Sequence, residues 1–396
     1  METGTLRPIT RLVPWGLTAM VGLLLAIEIL GVRRDPSLLS LHATSWRLTA
    51  KQLDRLCRGH SDASGRATVV PANTGPEILC FGDSLVKFGV YPRVLEKLSG
   101  MSAYNLAITT GPAPATYFLF RRVLERGGKP KVIILDTAEW VLDVGPRSTR
   151  RVYPWADLLT SQETADLAWT MRDPDFFVRT VLNATLRSFN SRFEIRESIK
   201  SALSGMATWR RNAMPAIVHM WAQNQGAHVN VKVDFREDEY APPGEMPGVW
   251  SADPVNLEYL ERLFALAARH GVAVFWLLPP YHPQHQSHSR YRGEERRYTR
   301  LVEEMRWRHP EVVVVDGRYS GYDRTLFLDD AHLDSEGGTA LSCALAEQIT
   351  AYVADPSAFP KWSKLPEFRT REPDVQLVEG DLGSGQLRAR GGSIRR

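Results

Sequence analysis

Short, mostly apolar runs recur along this chain with helix-length segments between most of them, and few folds accept that rhythm. The runs are Ile78-Leu79-Cys80-Phe81, Ser102 to Ile108, Val132 to Asp136, Val272 to Leu278 and Val312 to Val315. Each is short for a helix, and several are apolar throughout, which is how a strand buried on both faces reads. Between and after them, Pro92 to Leu98, Thr116 to Gly127, Asn256 to His270, Glu294 to His309 and Gly338 to Val353 carry helical spacing. Strand and helix in alternation predict an α/β fold with a flavodoxin-like, doubly wound parallel sheet of about five strands.

The first run stops abruptly at Gly82-Asp83-Ser84. A buried strand ending in a glycine turn delivers the next side chain to the carboxyl edge of the sheet, where α/β proteins build their sites. Ser84 is therefore the candidate nucleophile. A serine hydroxyl is weakly nucleophilic at neutral pH and needs a base that is itself oriented by a third group. Phe327-Leu328-Asp329-Asp330-Ala331-His332-Leu333 supplies both, with Asp329 three residues before His332 on one loop. Asp330 and Asp323 are the rival carboxylates, and Asp83 is read as holding the turn by hydrogen bonding.

Gly-Asp-Ser alone says little, because Asp and Ser commonly end strands and cap helices. Followed by Asp-x-x-His near the end of the domain, it resembles the SGNH (GDSL) hydrolase and acyltransferase superfamily, in a membrane-anchored, envelope-type form, over roughly Glu77 to Asp355. The resemblance implies the SGNH hydrolase fold and a Ser84-His332-Asp329 triad. It implies an esterase or O-acyltransferase that forms an acyl-enzyme on ester-linked acyl groups, with cell-envelope polysaccharide as a candidate substrate. It also implies that Gly111, in Thr109-Thr110-Gly111-Pro112 after the second strand, gives a backbone N–H to the oxyanion. Read from the residues alone, Gly111 is equally a loop glycine needed for its dihedral freedom. The chain departs from the family after the third strand: where Gly-x-Asn is usual, it reads Asp136-Thr137-Ala138-Glu139-Trp140. An ionised aspartate has no donor to offer an oxyanion. Thr137, Asn105 and the N–H of Ser84 are the candidate replacements. The departure keeps a second reading open, a catalytically impaired envelope protein of the same fold that binds glycan or a partner.

The 396 residues hold more than this domain. After a segment of residues 1–11, Leu12 to Val32 is a 21-residue stretch with one charge, Glu28. At 1.5 Å per residue, such a helix crosses a hydrocarbon core, so a single-pass anchor is expected, with Glu28 reaching to the interface. Flanking charges slightly favour a cytoplasmic domain: Arg7 and Arg11 precede the span and Arg33, Arg34 and Arg47 follow it. The resemblance implies the opposite, an extracytoplasmic domain. Residues 33–76 form a juxtamembrane segment ending in a linker, residues 145–248 a helix-biased insertion read as a lid or partner surface, and 356–396 a tail expected to lack order.

His282, His285 and His288 recur at intervals of three in what reads as a loop of Pro, Gln and Ser. No carboxylate or cysteine stands beside them, so no metal is assigned, and no cofactor motif is read. Cys57, Cys80 and Cys343 make neither a disulfide framework nor a zinc pattern. A net charge of +4, with Lys and Arg spread among nearly as many Asp and Glu, gives no case for nucleic acid. Protein partners are not legible.

Overall fold

The computed structural model describes residues 15–26, 48–53, 56, 75–146, 153–156, 158–185, 196, 216–231 and 249–380. Six strands make one sheet: β1 (Ile78–Phe81), β2 (Ala103–Asn105), β3 (Val132–Asp136), β4 (Ala273–Leu278), β5 (Val313–Asp316) and β6 (Trp362–Lys364). Their order is β2-β1-β3-β4-β5-β6 and every pairing is parallel. The first five follow the 2-1-3-4-5 order of a doubly wound sheet.

Alternate side chains along each strand enter different cores, because successive residues of a strand face opposite ways. Leu79, Phe81, Ile133, Leu135, Val274, Trp276 and Val314 lie in one. Ile78, Cys80, Val132, Ile134, Phe275, Leu277 and Val315 lie in the other. Both faces being covered explains why the strands read as unbroken apolar runs: β1, β3 and β5 are buried at every residue. Each such side chain contributes about 1.5–3 kcal/mol by leaving water.

The helices used below, in chain order, are α1 (Ser84–Gly89), α2 (Pro92–Ser99), α3 (Ala113–Glu125), α4 (Glu139–Leu142), α5 (Ser161–Met171), α6 (Pro174–Thr185), α7 (Pro254–Arg269), α8 (Pro283–Tyr291), α9 (Glu294–Arg308) and α10 (Ser335–Ala354). Helices α3, α7 and α9 cover the first face through residues such as Phe118, Leu263 and Val302. Helices α1, α2 and α10 cover the second through Val86, Leu95 and Leu345.

The described residues on either side of 145–248 meet. The side-chain amide of Asn256, which is fully buried, donates to the carbonyls of Val141, Leu142 and Val144 at 3.3, 3.0 and 3.2 Å. Asp253 N–H donates to Leu142 O at 2.8 Å, and the Asp253 side chain caps α7 ahead of Pro254. Helices α5 and α6 belong to this insertion, and Trp209 lies outside the described residues. The returning stretch 216–231 packs on the flank of α1: His228 N–H donates to Lys87 O at 2.9 Å and Asn105 N–H to Gln225 O at 2.9 Å.

Two expectations need correcting. The tail does not lose order at Pro356: its residues Trp362–Lys364 are β6, paired with Val314 to Asp316, and Gly380 N–H donates to Val229 O at 3.0 Å. Unpaired N–H and C=O groups on the outer edge of β5 give the tail its reason to order, and residues 381–396 lie outside the description. The histidine stretch is not a loop but α8, capped by His282 and opened by Pro283, whose fixed φ suits a first turn. Of the expected span Leu12 to Val32, Trp15–Ala26 is helical and the flanks lie outside the described residues. Among the described residues, no helix is long and apolar enough to cross a membrane.

Candidate active site

The Gly82-Asp83-Ser84 turn is built by close approach. Gly82 sits at φ 128°, and a Cβ there would meet Asp136 Oδ1 at 1.9 Å and Asp136 O at 2.9 Å. Only glycine lets β1 end against the end of β3. Asp83 then caps α1: its carboxylate accepts the N–H of Leu85 at 2.7 Å, while its own N–H donates to Asp136 Oδ1 at 2.9 Å. Ser84, the first residue of the helix, is left half-buried at the carboxyl edge.

The base arrives on a turn that Asp329 closes. Its Oδ1 accepts the N–H groups of Ala331 at 2.9 Å and His332 at 2.7 Å, and Leu328 N–H donates to His332 O at 2.9 Å. Asn230, from the insertion, donates to Leu333 O at 3.0 Å, and Asp334 caps α10 immediately after. His332 Nδ1 lies 2.7 Å from Asp329 Oδ2, and His332 Nε2 lies 2.8 Å from Ser84 Oγ. A carboxylate only accepts, so the ring proton belongs on Nδ1, and Nε2 is free to accept the serine proton. The Phe88 ring meets the imidazole edge-to-face at 5.0 Å and fixes its plane.

Burial would lower the His332 pKa, but the Asp329 charge and hydrogen bond outweigh it and the shift is upward. Burial would raise Asp329, yet the imidazolium and three hydrogen bonds bring it down to about 2. Asp330 is pushed up by burial and by the Asp329 charge; it is 37% exposed and turned toward His285, whose Nδ1 is 3.9 Å away. Asp323 accepts from the N–H and hydroxyl of Thr325 and caps the turn at Arg324–Leu326.

Two of the four candidate oxyanion groups, Gly111 and Asn105, have their donors engaged elsewhere. Gly111 N–H donates to Ile108 O at 3.0 Å. The Asn105 amide donates to Val86 O and Val90 O, both at 2.9 Å, behind α1. Thr137 accepts from Trp276 Nε1 at 3.1 Å through its hydroxyl and from the Tyr298 hydroxyl at 2.7 Å through its carbonyl.

Two further groups lie beside Ser84 and His332; of their residues only His285 was singled out in the sequence. Trp140, Tyr281 and His285 meet with ring centroids 5.0 to 5.4 Å apart. Trp140 and Tyr281 share an apolar cluster with Leu85 and Ala331, the neighbours of Ser84 and His332. Trp140 and Tyr281 follow β3 and β4 closely, so their place at the carboxyl edge was open to inference. Lys87, three residues after Ser84 in otherwise apolar text, is 2% exposed with Nζ 5.2 Å from the Trp221 ring centroid. Burial lowers its pKa to about 7. His228 beside it donates nothing from Nδ1, which accepts from Trp221 Nε1 at 2.9 Å, and burial holds the ring neutral. Among the described residues, His282, His285 and His288 join no group able to hold a metal ion.

A scan against protein-family models finds no match to this chain, and a search of curated proteins finds none either.

Proposed function

We propose that this protein is an SGNH-type serine esterase or O-acyltransferase, held to a membrane by its N-terminal segment and acting outside the cytoplasm. The observation that carries the reading is the unbroken line from Asp329 Oδ2 through His332 to Ser84 Oγ, at 2.7 and 2.8 Å. His332 takes the proton as Ser84 attacks an ester carbonyl, and Asp329 holds the ring and stabilises the imidazolium. The alcohol leaves with the proton from His332, leaving an acyl-enzyme. Water or a sugar hydroxyl, deprotonated by the same ring, then resolves it. At the head of α1, the N–H of Ser84 is the backbone donor that suits the developing oxyanion.

A fluorophosphonate probe should label the detergent-solubilised protein at Ser84, with labelling abolished in Ser84→Ala and His332→Ala. A second reading, a glycan- or partner-binding protein with an inert triad, draws on the engaged donors of Gly111 and Asn105. Absence of labelling in a folded protein would favour it. Polysaccharide is the proposed acceptor or source of the acyl group. Whether acyl label from a donor ester ends on water or on glycan decides between hydrolysis and transfer.

Topology has its own test. With Cys57→Ser in place and Cys80 and Cys343 buried, a cysteine introduced into the 61–76 linker should react with a membrane-impermeant thiol reagent in intact cells. Protection until lysis would put the domain inside.

A further inference from the structure

Asp136 stands where a donor to the oxyanion was sought, and it does something else. It is 1% exposed, as is Asp83, and the Asp83 N–H donates to Asp136 Oδ1 at 2.9 Å, which sets the two carboxyl groups against each other at the base of the Gly82-Asp83-Ser84 turn. Two ionised carboxylates in contact in a buried site repel strongly, so one of them keeps a proton. Asp83 accepts the Leu85 N–H at the head of α1, an arrangement that favours its charged form. Asp136 Oδ2 is buried and receives no N–H or O–H from elsewhere in the described residues. The proton therefore belongs to Asp136, between its Oδ2 and the Asp83 carboxylate.

We infer that Asp136 is a positioning residue for the nucleophile, a neutral carboxylic acid that accepts the Asp83 N–H at Oδ1 and donates its own proton to the Asp83 carboxylate. One side chain thus grips the turn before Ser84 at two points, through the backbone and through the cap. The close packing of Gly82 on the same carboxyl, where even a methyl group would collide, is the steric half of that grip. In its catalytic consequence, the inference rests on Ser84 being the nucleophile proposed above.

The other titratable groups facing this region leave the proton in place. Tyr281, from the β4–α8 connection, and Tyr298, from α9, are held protonated by burial and by the carboxylates around them. Glu139, from α4, accepts the Ser289 hydroxyl at 2.9 Å. His332 also feels the Asp83 charge. The Asp136 carboxyl is shifted well upward, by burial first and the Asp83 charge second.

Because the folded state holds a proton that the unfolded chain releases near pH 4, the wild-type fold loses this stabilisation as pH rises. Asp136→Asn keeps an acceptor and supplies a permanent N–H donor, so it mimics the protonated acid without titrating. Its Tm relative to wild type should climb as pH rises above about 4. In infrared difference spectra, a protonated-carboxyl band should be missing from the variant. For fluorophosphonate labelling at Ser84, Asp136→Ala should lose about 10²-fold in rate, and Asp136→Asn should regain most of that loss. A Tm gap that does not change with pH, or an asparagine variant no better than the alanine one, would overturn the inference. If Asp136→Ala does not fold, the Tm and infrared comparison of Asp136→Asn with wild type decides alone. If wild type is not labelled at all, the esterase reading fails while the Tm and infrared results still decide whether the acid pair exists.

Discussion

Asp329→Asn is expected to slow the reaction of Ser84 with an activated ester by about 10⁴-fold, the size of the comparable change in a serine protease. The amide presents an N–H to Nδ1 or loses the bond, and either way the tautomer with a free Nε2 facing Ser84 is no longer favoured. Asp330→Asn should stay near wild type, since Asp330 faces His285 and not His332. The pH profile separates the two further. His332 must be neutral to accept the serine proton, and its pKa is shifted upward, so wild-type activity should fall as pH drops through a value above the unperturbed 6.5 or so. Removing the Asp329 charge lowers that value, so the residual activity of Asp329→Asn should persist to lower pH. Asp330→Asn should move the acid limb only slightly, the Asp330 charge being the smaller influence on His332. Equal losses in both variants would mean that the orienting carboxylate has been misassigned.

Lys87→Met should stabilise the fold by roughly 3–5 kcal/mol below pH 7, measured as ΔG of unfolding in denaturant. Lys87 is buried at 2% exposure, and its pKa of about 7 is set by burial alone. An unfolded lysine titrates near 10.4, so folding depresses it by roughly three units at about 1.4 kcal/mol each. The sign follows from the depression. Between about pH 7 and pH 10 the unfolded chain binds more protons, so wild-type stability rises with pH there, and at lower pH the full cost of burying an ammonium or discharging it is present. Methionine keeps the straight stem and carries no charge, so its stability should be flat across that window. The contact of Lys87 with the Trp221 face offsets part of the gain, by about 0.5–2 kcal/mol. No gain at pH 6 would show that the ammonium has found compensation in the folded state.

How much of this was readable in advance depended on what each feature asks of its residues. The five strands of the central sheet were legible because burial on two faces demands unbroken apolar text, as in Val132 to Leu135. Ser84, Asp329 and His332 were legible because a nucleophile turn and a carboxylate–imidazole loop are short, local arrangements of fixed residue types. β6 was not, since Trp362–Lys364 is held by backbone pairing at an edge and only Ser363 of the three is buried. The His282 to Tyr291 helix was missed although a proline at its first turn was in view, because its moderately polar surface resembles loop composition. The engagement of Gly111 and Asn105 was beyond reach for another reason: which donor a turn consumes depends on dihedral angles that composition does not encode. Asp136 was noticed only for the donor it lacks; its contact with Asp83, 53 positions away, is a tertiary fact.

Ser84 and His332 are separated by 248 positions in the chain, yet their side chains meet at 2.8 Å. Between them the chain must complete β2 through β5 in parallel pairings, and the turn that carries His332 is braced by Asn230 of the insertion. Contacts so distant in sequence are closed late, after the local helices and turns. A ribosome-bound chain that has not yet delivered His332 would carry the Gly82-Asp83-Ser84 segment without an imidazole beside it. The Ser84–His332 contact is therefore a report on completed folding: the serine is without its imidazole partner until the last third of the domain has docked.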